Sequence, residues 1–312
     1  MAGFLLLAAL TPIILYVIWP ILVYFVFRIL LCRSGDLLKA GEWTVITGAT
    51  DGIGKAFAEL LAKKGLNIFL ISRNKDKLQA VASEIETKYK VKTKIFAADF
   101  GEEPFPYDQL MFEINSLSSI SCLINNVGLS YPYPDALATG PMLTPEFCEK
   151  LIRINVITPT KLTRMVLPKL ISDPLPVKGV CRYVINISSI SGMVVCPYLT
   201  VYGATKAYLA SLTRGLSIEL GDTCVRAQAF TPSLVSTNMS GIKRTSMSVP
   251  SAETFAKSAF SMIGVETVGC GYFMHALDMH LASTLPACLV SKHLGDRMLR
   301  IRERYLRKQK AN

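Results

Sequence analysis

The chain has 312 residues, of which 51% are hydrophobic, carries a net charge of +11 and has a mean hydropathy of +0.37. Charged residues are 18% of the total, below the roughly one-quarter of an average globular chain, which excludes a disordered or solvating protein. Eight scattered cysteines with no C-x-x-C pair, and three late histidines, exclude a disulfide framework and give no metal-ligand spacing.

The first 27 residues contain no charge, and MAGFLLLAALTPIILYVIWPILVYFVF is long enough to cross a bilayer. A cleaved signal peptide would need a basic start and a shorter apolar run, and a buried core helix is rarely uncharged for so long. Residues 1–31 are therefore expected to be a membrane anchor, kinked at Pro12 and Pro20. Arg28 and Arg33 follow the run, which places the rest of the chain on the cytosolic side. Residues 32–41 form a linker.

From residue 42 short apolar runs alternate with helical periods. TVITG (44–48) reads as a strand, and KAFAELLAKKG (55–65) as a helix stopped by a glycine. LNIFLIS and KLQAVASEIETKY give a second strand and helix, KTKIFAADF and SCLINNVG two further strands. FCEKLIRINVITPTKLTRMVLPKL suits one long helix bent near Pro159. RYVINISS, TVYGATKAYLASLTRGLSIEL and VRAQAFTP complete the alternation as strand, helix, strand. The pattern predicts an α/β, doubly wound parallel-sheet Rossmann fold over 42–240. The segment 241–291 is too irregular to hold a core of its own. Its stretch Gly271–Val290 is apolar but carries Asp278, His275 and His280, so it is a poor membrane span. It reads either as a membrane-apposed wall of a substrate site or as a core helix.

Residues 292–312 hold eight Lys or Arg against two acids, with Leu294, Met298, Ile301 and Tyr305 at helical spacing. This basic tail is expected to contact anionic headgroups, since no motif supports nucleic acid.

The chemistry begins at the first strand. Gly48, Gly52 and Gly54 form G-x-x-x-G-x-G in TGATDGIG, between a strand and a helix. Glycines let the backbone turn tightly and approach a pyrophosphate, which then meets the helix N-terminus near Ile53. At the end of the second strand, where an acid would hold a ribose 2′-hydroxyl, the sequence has Arg73, with Lys75 and Lys77 behind it. A cation there suits a 2′-phosphate, so NADP(H) is expected rather than NAD(H). Tyr202 and Lys206 lie four apart, one above the other on a helix face. A lysine so placed favours the phenolate and should lower a tyrosine pKa from near 10.

These motifs, in this order, resemble the short-chain dehydrogenase/reductase family over roughly residues 42–240. The resemblance rests on TGATDGIG (47–54), AADF with Asp99, NNVG (125–128), Asn155 in RINV, ISS (187–189) and YGATK (202–206). It implies a catalytic tetrad of Asn155, Ser189, Tyr202 and Lys206. Ser189 precedes Tyr202 by 13 residues, the family's spacing, which selects it over Ser188 and Ser191 and makes it the substrate-contacting hydroxyl. It further implies cofactor contacts from Gly48, Thr50, Asp51, Gly52, Ile53, Gly54, Arg73, Asp99 (at the adenine), Asn125 (at the cofactor-side backbone), Val235, Tyr202 and Lys206, and no metal. One departure stands out: Ser233 replaces the usual glycine of a proline-glycine pair, which questions the backbone there.

Within the family, the anchor together with LISRNKDKL, INNVGLSYPYP, SAETFAKSA and GYFMHAL resembles the branch reducing very-long-chain 3-oxoacyl-CoA in fatty-acid elongation. That branch implies estrone reduction as a secondary activity, elongase-complex partners, an endoplasmic-reticulum membrane location and a homodimer as an open option. Testosterone-forming 17β-hydroxysteroid dehydrogenases are the neighbouring alternative, and a catalytically dead scaffold on the same fold is the alternative of another class. Lys308 and Lys310 resemble a di-lysine retrieval signal.

Overall fold

In a computed structural model, Met1, Thr11 and residues 18–311 are described, with side chains as far as 309. Most of the expected anchor, residues 2–10 and 12–17, lies outside the described residues, as does the side chain of Lys310. No helix among the described residues is long and apolar enough to cross a membrane.

Seven strands form one sheet in the order β3-β2-β1-β4-β5-β6-β7, every pair parallel. They are β1 Trp43–Thr47, β2 Asn67–Ser72, β3 Thr93–Ala97, β4 Ile120–Asn125, β5 Arg182–Ile187, β6 Val225–Phe230 and β7 Val268–Gly269. The helices are α1 Gly52–Lys63, α2 Lys75–Tyr89, α3 Tyr107–Asn115, α4 Pro145–Ile152, α5 Thr158–Ser172, α6 Thr200–Glu219, α7 Ala252–Phe260, α8 Phe273–Thr284 and α9 Ala287–Ala311. Short helical turns at Val23–Phe27, Arg28–Leu31 and Ser34–Lys39 precede the sheet. The expected Rossmann architecture is thus present, with the ends of β1 to β6 within three residues of the expected runs.

The central strands β1, β2, β4, β5 and β6 are largely buried on both faces, which is why β1, β2 and β4 read as nearly continuous apolar runs. Successive side chains point to opposite faces. Ile46, Leu70, Ile124 and Ile185 accordingly join Phe57 and Leu61 of α1, Ile85 of α2 and Phe255 of α7. Val45, Phe69, Leu123 and Val184 join Leu110 and Ile114 of α3 and Leu162, Val166 and Leu170 of α5. With every strand parallel, the strand C-termini share one edge, and the first strand order reversal, between β1 and β4, opens the crevice where such sheets bind ligands.

The expected long helix with a bend is α4, a π-helical turn over Arg153–Ile157, and α5. The Thr158 N–H bonds back to the Arg153 carbonyl, five residues earlier. Pro159 follows at once and has no N–H for the Asn155 carbonyl, which an α-helix would require of it.

The two C-terminal segments are ordered parts of the domain. α7 packs on α1, and α8 buries His275 and Ala276. Phe273 of α8 meets Tyr24 and Phe25 edge-on at 5.8 and 5.2 Å, so the leading helix docks beside it. In α9 the stripe Leu294, Met298, Ile301 and Tyr305 is half-buried against the protein. The amphipathic reading of the tail is right as to helix, but its apolar face covers the domain.

Candidate active site

The first β-strand delivers the chain into a glycine turn that only glycine fits. Gly48 has φ +65°, and a Cβ there would lie 2.9 Å from Asn126 Nδ2. A Cβ on Gly54 would lie 2.3 Å from the Gly48 carbonyl oxygen, and one on Gly52 (φ +52°) would press on Thr237 at 3.1 Å. Asp51 caps α1 by accepting the Gly52 N–H at 2.6 Å, and its other oxygen accepts from the Asn238 amide. Thr50 Oγ1 lies 3.0 Å from Ser72 Oγ, tying the turn to the end of β2. Ile53 is half-buried and Val235 is buried. Arg73 is exposed immediately beyond β2, and Asp99 accepts the Gly101 N–H at 2.8 Å just beyond β3.

Asn125 and Asn126 divide the work expected of the first alone. Asn125 is buried and donates to Thr163 Oγ1 (3.0 Å) and Asn186 Oδ1 (2.8 Å), inside the domain. Asn126 donates to the carbonyls of Thr47 (3.0 Å) and Gly48 (3.1 Å) and fixes the glycine turn. Thr47 Oγ1 returns the contact by accepting the Asn126 and Val127 N–H groups, both at 3.0 Å. Thr47 and Asn126 are the functional residues the sequence reasoning missed. Their signal was period two: the neighbours Asn125 and Asn126 must point to opposite sides.

The four tetrad residues converge. Asn155 Nδ2 donates to the Leu129 carbonyl (2.9 Å) and Thr205 Oγ1 (3.1 Å), while its Oδ1 accepts the Leu129 N–H (2.7 Å). Lys206 is buried and donates to the Ile187 carbonyl at 2.9 Å, with its ammonium 5.7 Å from the Tyr202 ring centre. Gly128 packs so near that a Cβ would be 3.3 Å from Lys206 Nζ and 3.5 Å from Asn155 Oδ1. Ser189 Oγ accepts from the Ser191 N–H (3.2 Å) and hydroxyl (2.9 Å), which leaves its own proton to donate. That hydroxyl also acts on the proton affinity of the Tyr202 phenol. Ser188, the rejected neighbour, donates to the Lys206 carbonyl at 2.6 Å and is part of the support.

Burial dominates the electrostatics. It pushes the Tyr202 phenol up to about 12, although the Ser189 hydroxyl pulls the other way. It pulls Lys206 down to about 8. This corrects the expectation that the lysine lowers the tyrosine. The ammonium is committed to the Ile187 carbonyl, and both charged forms lose their hydration. Tyr202 therefore holds its proton at neutral pH as an acid must, and Lys206 titrates close enough to neutrality to exchange one.

The questioned turn after β6 needs no glycine. Among the described residues only Lys90 and Tyr198 are non-glycine with positive φ, so Ser233 sits at ordinary backbone angles. Its N–H is 3.3 Å from His275 Nδ1, an acceptor in a ring that burial keeps toward its neutral form.

A glycine cradle at the head of α1, a cation beyond β2, and a Tyr-Lys pair with a serine at the same strand edge form one dinucleotide-dependent site. The model of the short chain dehydrogenase family matches residues 42–247. The chain belongs to the short-chain dehydrogenase family. This dehydrogenase is 40% identical over 287 residues to a very-long-chain 3-oxoacyl-CoA reductase-B of Danio rerio, covering 91% of this chain and 89% of that one. It is 43% identical over 272 residues to the very-long-chain 3-oxoacyl-CoA reductase of Bos taurus, covering 87% and 84%. Among solved structures, it is similar to a short-chain dehydrogenase from Sphingobium yanoikuyae in complex with NADPH. The TM-score is 0.62 at 26% identity, covering 72% of this chain and 86% of that one. The glycine turn is built into this dehydrogenase's own backbone, since a Cβ at Gly48, Gly52 or Gly54 would clash with or crowd its neighbours.

Proposed function

We propose that this enzyme reduces very-long-chain 3-oxoacyl-CoA to 3-hydroxyacyl-CoA with NADPH, on the cytosolic face of the endoplasmic-reticulum membrane, as a step of fatty-acid elongation. The observation that carries the reading is the convergence of Asn155, Ser189, Tyr202 and Lys206 in a chain about 40% identical, over most of its length, to reductases of that name.

The residues present suit a ketone. Ser189, with its proton free, donates to the oxygen on which negative charge develops. Tyr202, still protonated, transfers its proton to that oxygen. Lys206 lies on the same helix face, titrates at about 8 and is placed to return a proton to the phenolate left behind, and Asn155 holds Leu129 and Thr205 around it. The nicotinamide, when bound, supplies the hydride. The glycine turn would hold its pyrophosphate and Arg73 its 2′-phosphate, with further contacts from Asp99 and Val235.

A lipid substrate is supported by the apolar surface. Trp19, Phe25, Ile29 and Leu30 on the leading helix are exposed, as are Leu281, Leu285 and Leu289 beside α8. Reduction of estrone to estradiol is a secondary activity of the same site, and elongase partners would meet the enzyme at the membrane. The deciding assay follows NADPH absorbance in membranes with 3-oxoacyl-CoA, estrone and androstenedione side by side. Fastest turnover of the 3-oxoacyl-CoA, lost by about a hundredfold or more in Tyr202→Phe, is the expected result. A preference for androstenedione would instead select testosterone formation, and no turnover of any of the three would select the scaffold.

A further inference from the structure

The loop between β4 and α4 lies against the tetrad and is tied there twice. At its start Leu129 exchanges hydrogen bonds with Asn155 in both directions. Two residues on, the Tyr131 hydroxyl accepts the Val201 N–H at 3.1 Å, next to the catalytic tyrosine. Tyr131 and Leu143 are buried in a cluster that includes Leu199, Val201 and Tyr202. Any loosening of this loop is therefore felt at the first turn of α6, where Tyr202 sits.

The middle of the loop is wound around one carboxylate. Asp135 is only 1% exposed. Its oxygens accept the N–H groups of Ala136 and Met142, both at 3.1 Å, and Gly140 packs so close that a Cβ would meet the carboxylate at 2.3 Å. The backbone N–H of Asp135 donates to the Tyr198 carbonyl at 2.9 Å, joining the loop to the segment that leads into α6. Tyr198 has φ +66°, an outlier for a bulky residue that persists only where the surroundings over-determine it. Two backbone N–H groups leave the negative charge of Asp135 uncompensated, and a buried charge needs a partner.

That partner comes from 167 residues away. Arg302 of α9 donates through Nε to Asp135 Oδ1 at 3.0 Å. One turn on, Tyr305 stacks on Tyr133 with ring centres 4.8 Å apart, and Gly295 of the same helix faces Pro197 and Tyr198. A single helix thus touches both loops that flank Ser189 and Tyr202.

We propose that Asp135 and Arg302 form a latch by which α9 positions the substrate-side wall of the active site. Neither residue is a catalytic group. Both act through Leu129, Tyr131 and Tyr198, and the dinucleotide turn at Gly48–Gly54 lies outside their contacts. The choice of acyl thioester as substrate rests on the proposed reductase function, but the latch does not: any carbonyl that the wild type reduces reports on it.

The test uses the full chain with Arg302→Met, which keeps the apolar stem, Arg302→Lys, which keeps the charge, Asp135→Asn alone, and Asp135→Asn combined with Arg302→Met. Arg302→Met should raise the KM for the carbonyl substrate about tenfold or more, because small misplacements of positioning groups cost that much, while the KM for the dinucleotide stays put. Arg302→Lys should recover part of the loss. The double variant should lose less than the two single losses combined, as coupled residues do. Hydrogen exchange at the Ala136, Met142 and Val201 amides should speed up in Arg302→Met, and this reading needs no turnover, so it stands even if the wild type reduces none of the ketones tried. A folded Arg302→Met with unchanged amide exchange and unchanged KM overturns the latch. So does an equal rise in the KM for the dinucleotide, which would mark general destabilisation instead of a positioned wall.

Discussion

Replacing Lys206 with methionine should separate what this lysine does for the reaction from what it costs the fold. The ammonium is buried, and burial alone drags its pKa from 10.5 to about 8. The sign follows from proton counting. Between pH 8 and 10.5 the unfolded chain holds a proton on this lysine that the folded chain has released, so stability must rise with pH across that window. Below pH 8 both states are protonated and the folded state carries the full penalty. The shift of about 2.5 units at ~1.4 kcal/mol each amounts to roughly 3 kcal/mol at pH 7, and about 2 kcal/mol of it is relieved by pH 9.5. Lys206→Met has no such proton, and its lost bond to the Ile187 carbonyl is the same at every pH. Urea unfolding of both proteins from pH 7 to 9.5 should therefore show the wild type gaining on the variant by about 2 kcal/mol, or roughly 0.7 M in midpoint for a slope near 3 kcal/mol/M. Turnover in the variant should fall by about a hundredfold or more. Parallel pH profiles for the two proteins would refute the burial argument, whatever the loss of activity.

Two further outcomes follow from the dinucleotide turn. Gly54→Ala puts a methyl 2.3 Å from the Gly48 carbonyl oxygen and 2.4 Å from Asn126 Nδ2, so NADPH binding, followed by its fluorescence, should be abolished and the melting temperature should drop. Arg73→Asp removes an exposed cation and restores the acid that a ribose 2′-hydroxyl would prefer. The ratio of kcat/KM for NADPH over NADH should then fall by about a hundredfold or more, because a charge-assisted bond to the 2′-phosphate is removed and one to the free ribose is added. A wild type that already prefers NADH would remove the reason for Arg73.

The parts of the fold legible in the sequence are those with a strong period. β1, β2, β4, β5 and β6 are mainly apolar segments of five or six residues, and the helices α2 and α6 carry an uninterrupted pattern. β7 is two residues long, too short for any period to register, and α3 and α7 have nine residues each between irregular stretches. The tetrad was expected from the family resemblance, and the fold brings its members to one place: Tyr202 and Lys206 one turn apart on α6, Ser189 just past β5 and Asn155 in the π-helical turn. What escaped was whatever depends on contact across the chain. The sequence offers no sign that Asp135 pairs with Arg302, since nothing local distinguishes either from a solvated charge. The lowered lysine and raised tyrosine were equally hidden, because spacing reveals that two groups are neighbours and not how dry their surroundings are.

The π-helical turn at Arg153–Ile157 is an insertion of one residue into an otherwise regular rod. Each residue of an α-helix advances by about 100°, so one extra residue resets the phase of everything that follows. On the far side of the turn, Leu162, Val166 and Leu170 keep a strict four-residue beat against the sheet. On the near side, Leu151 belongs with Tyr131 and Leu143 under the active-site loop. The two halves are thus indexed to different clocks, one set by the core and one by the chemistry, with Asn155 at the change of time. A shortening by one residue there would leave each half able to pack as it does now, yet would rotate one against the other. The fold could absorb that error almost silently, while the site, whose asparagine must meet Leu129 and Thr205 at once, could not.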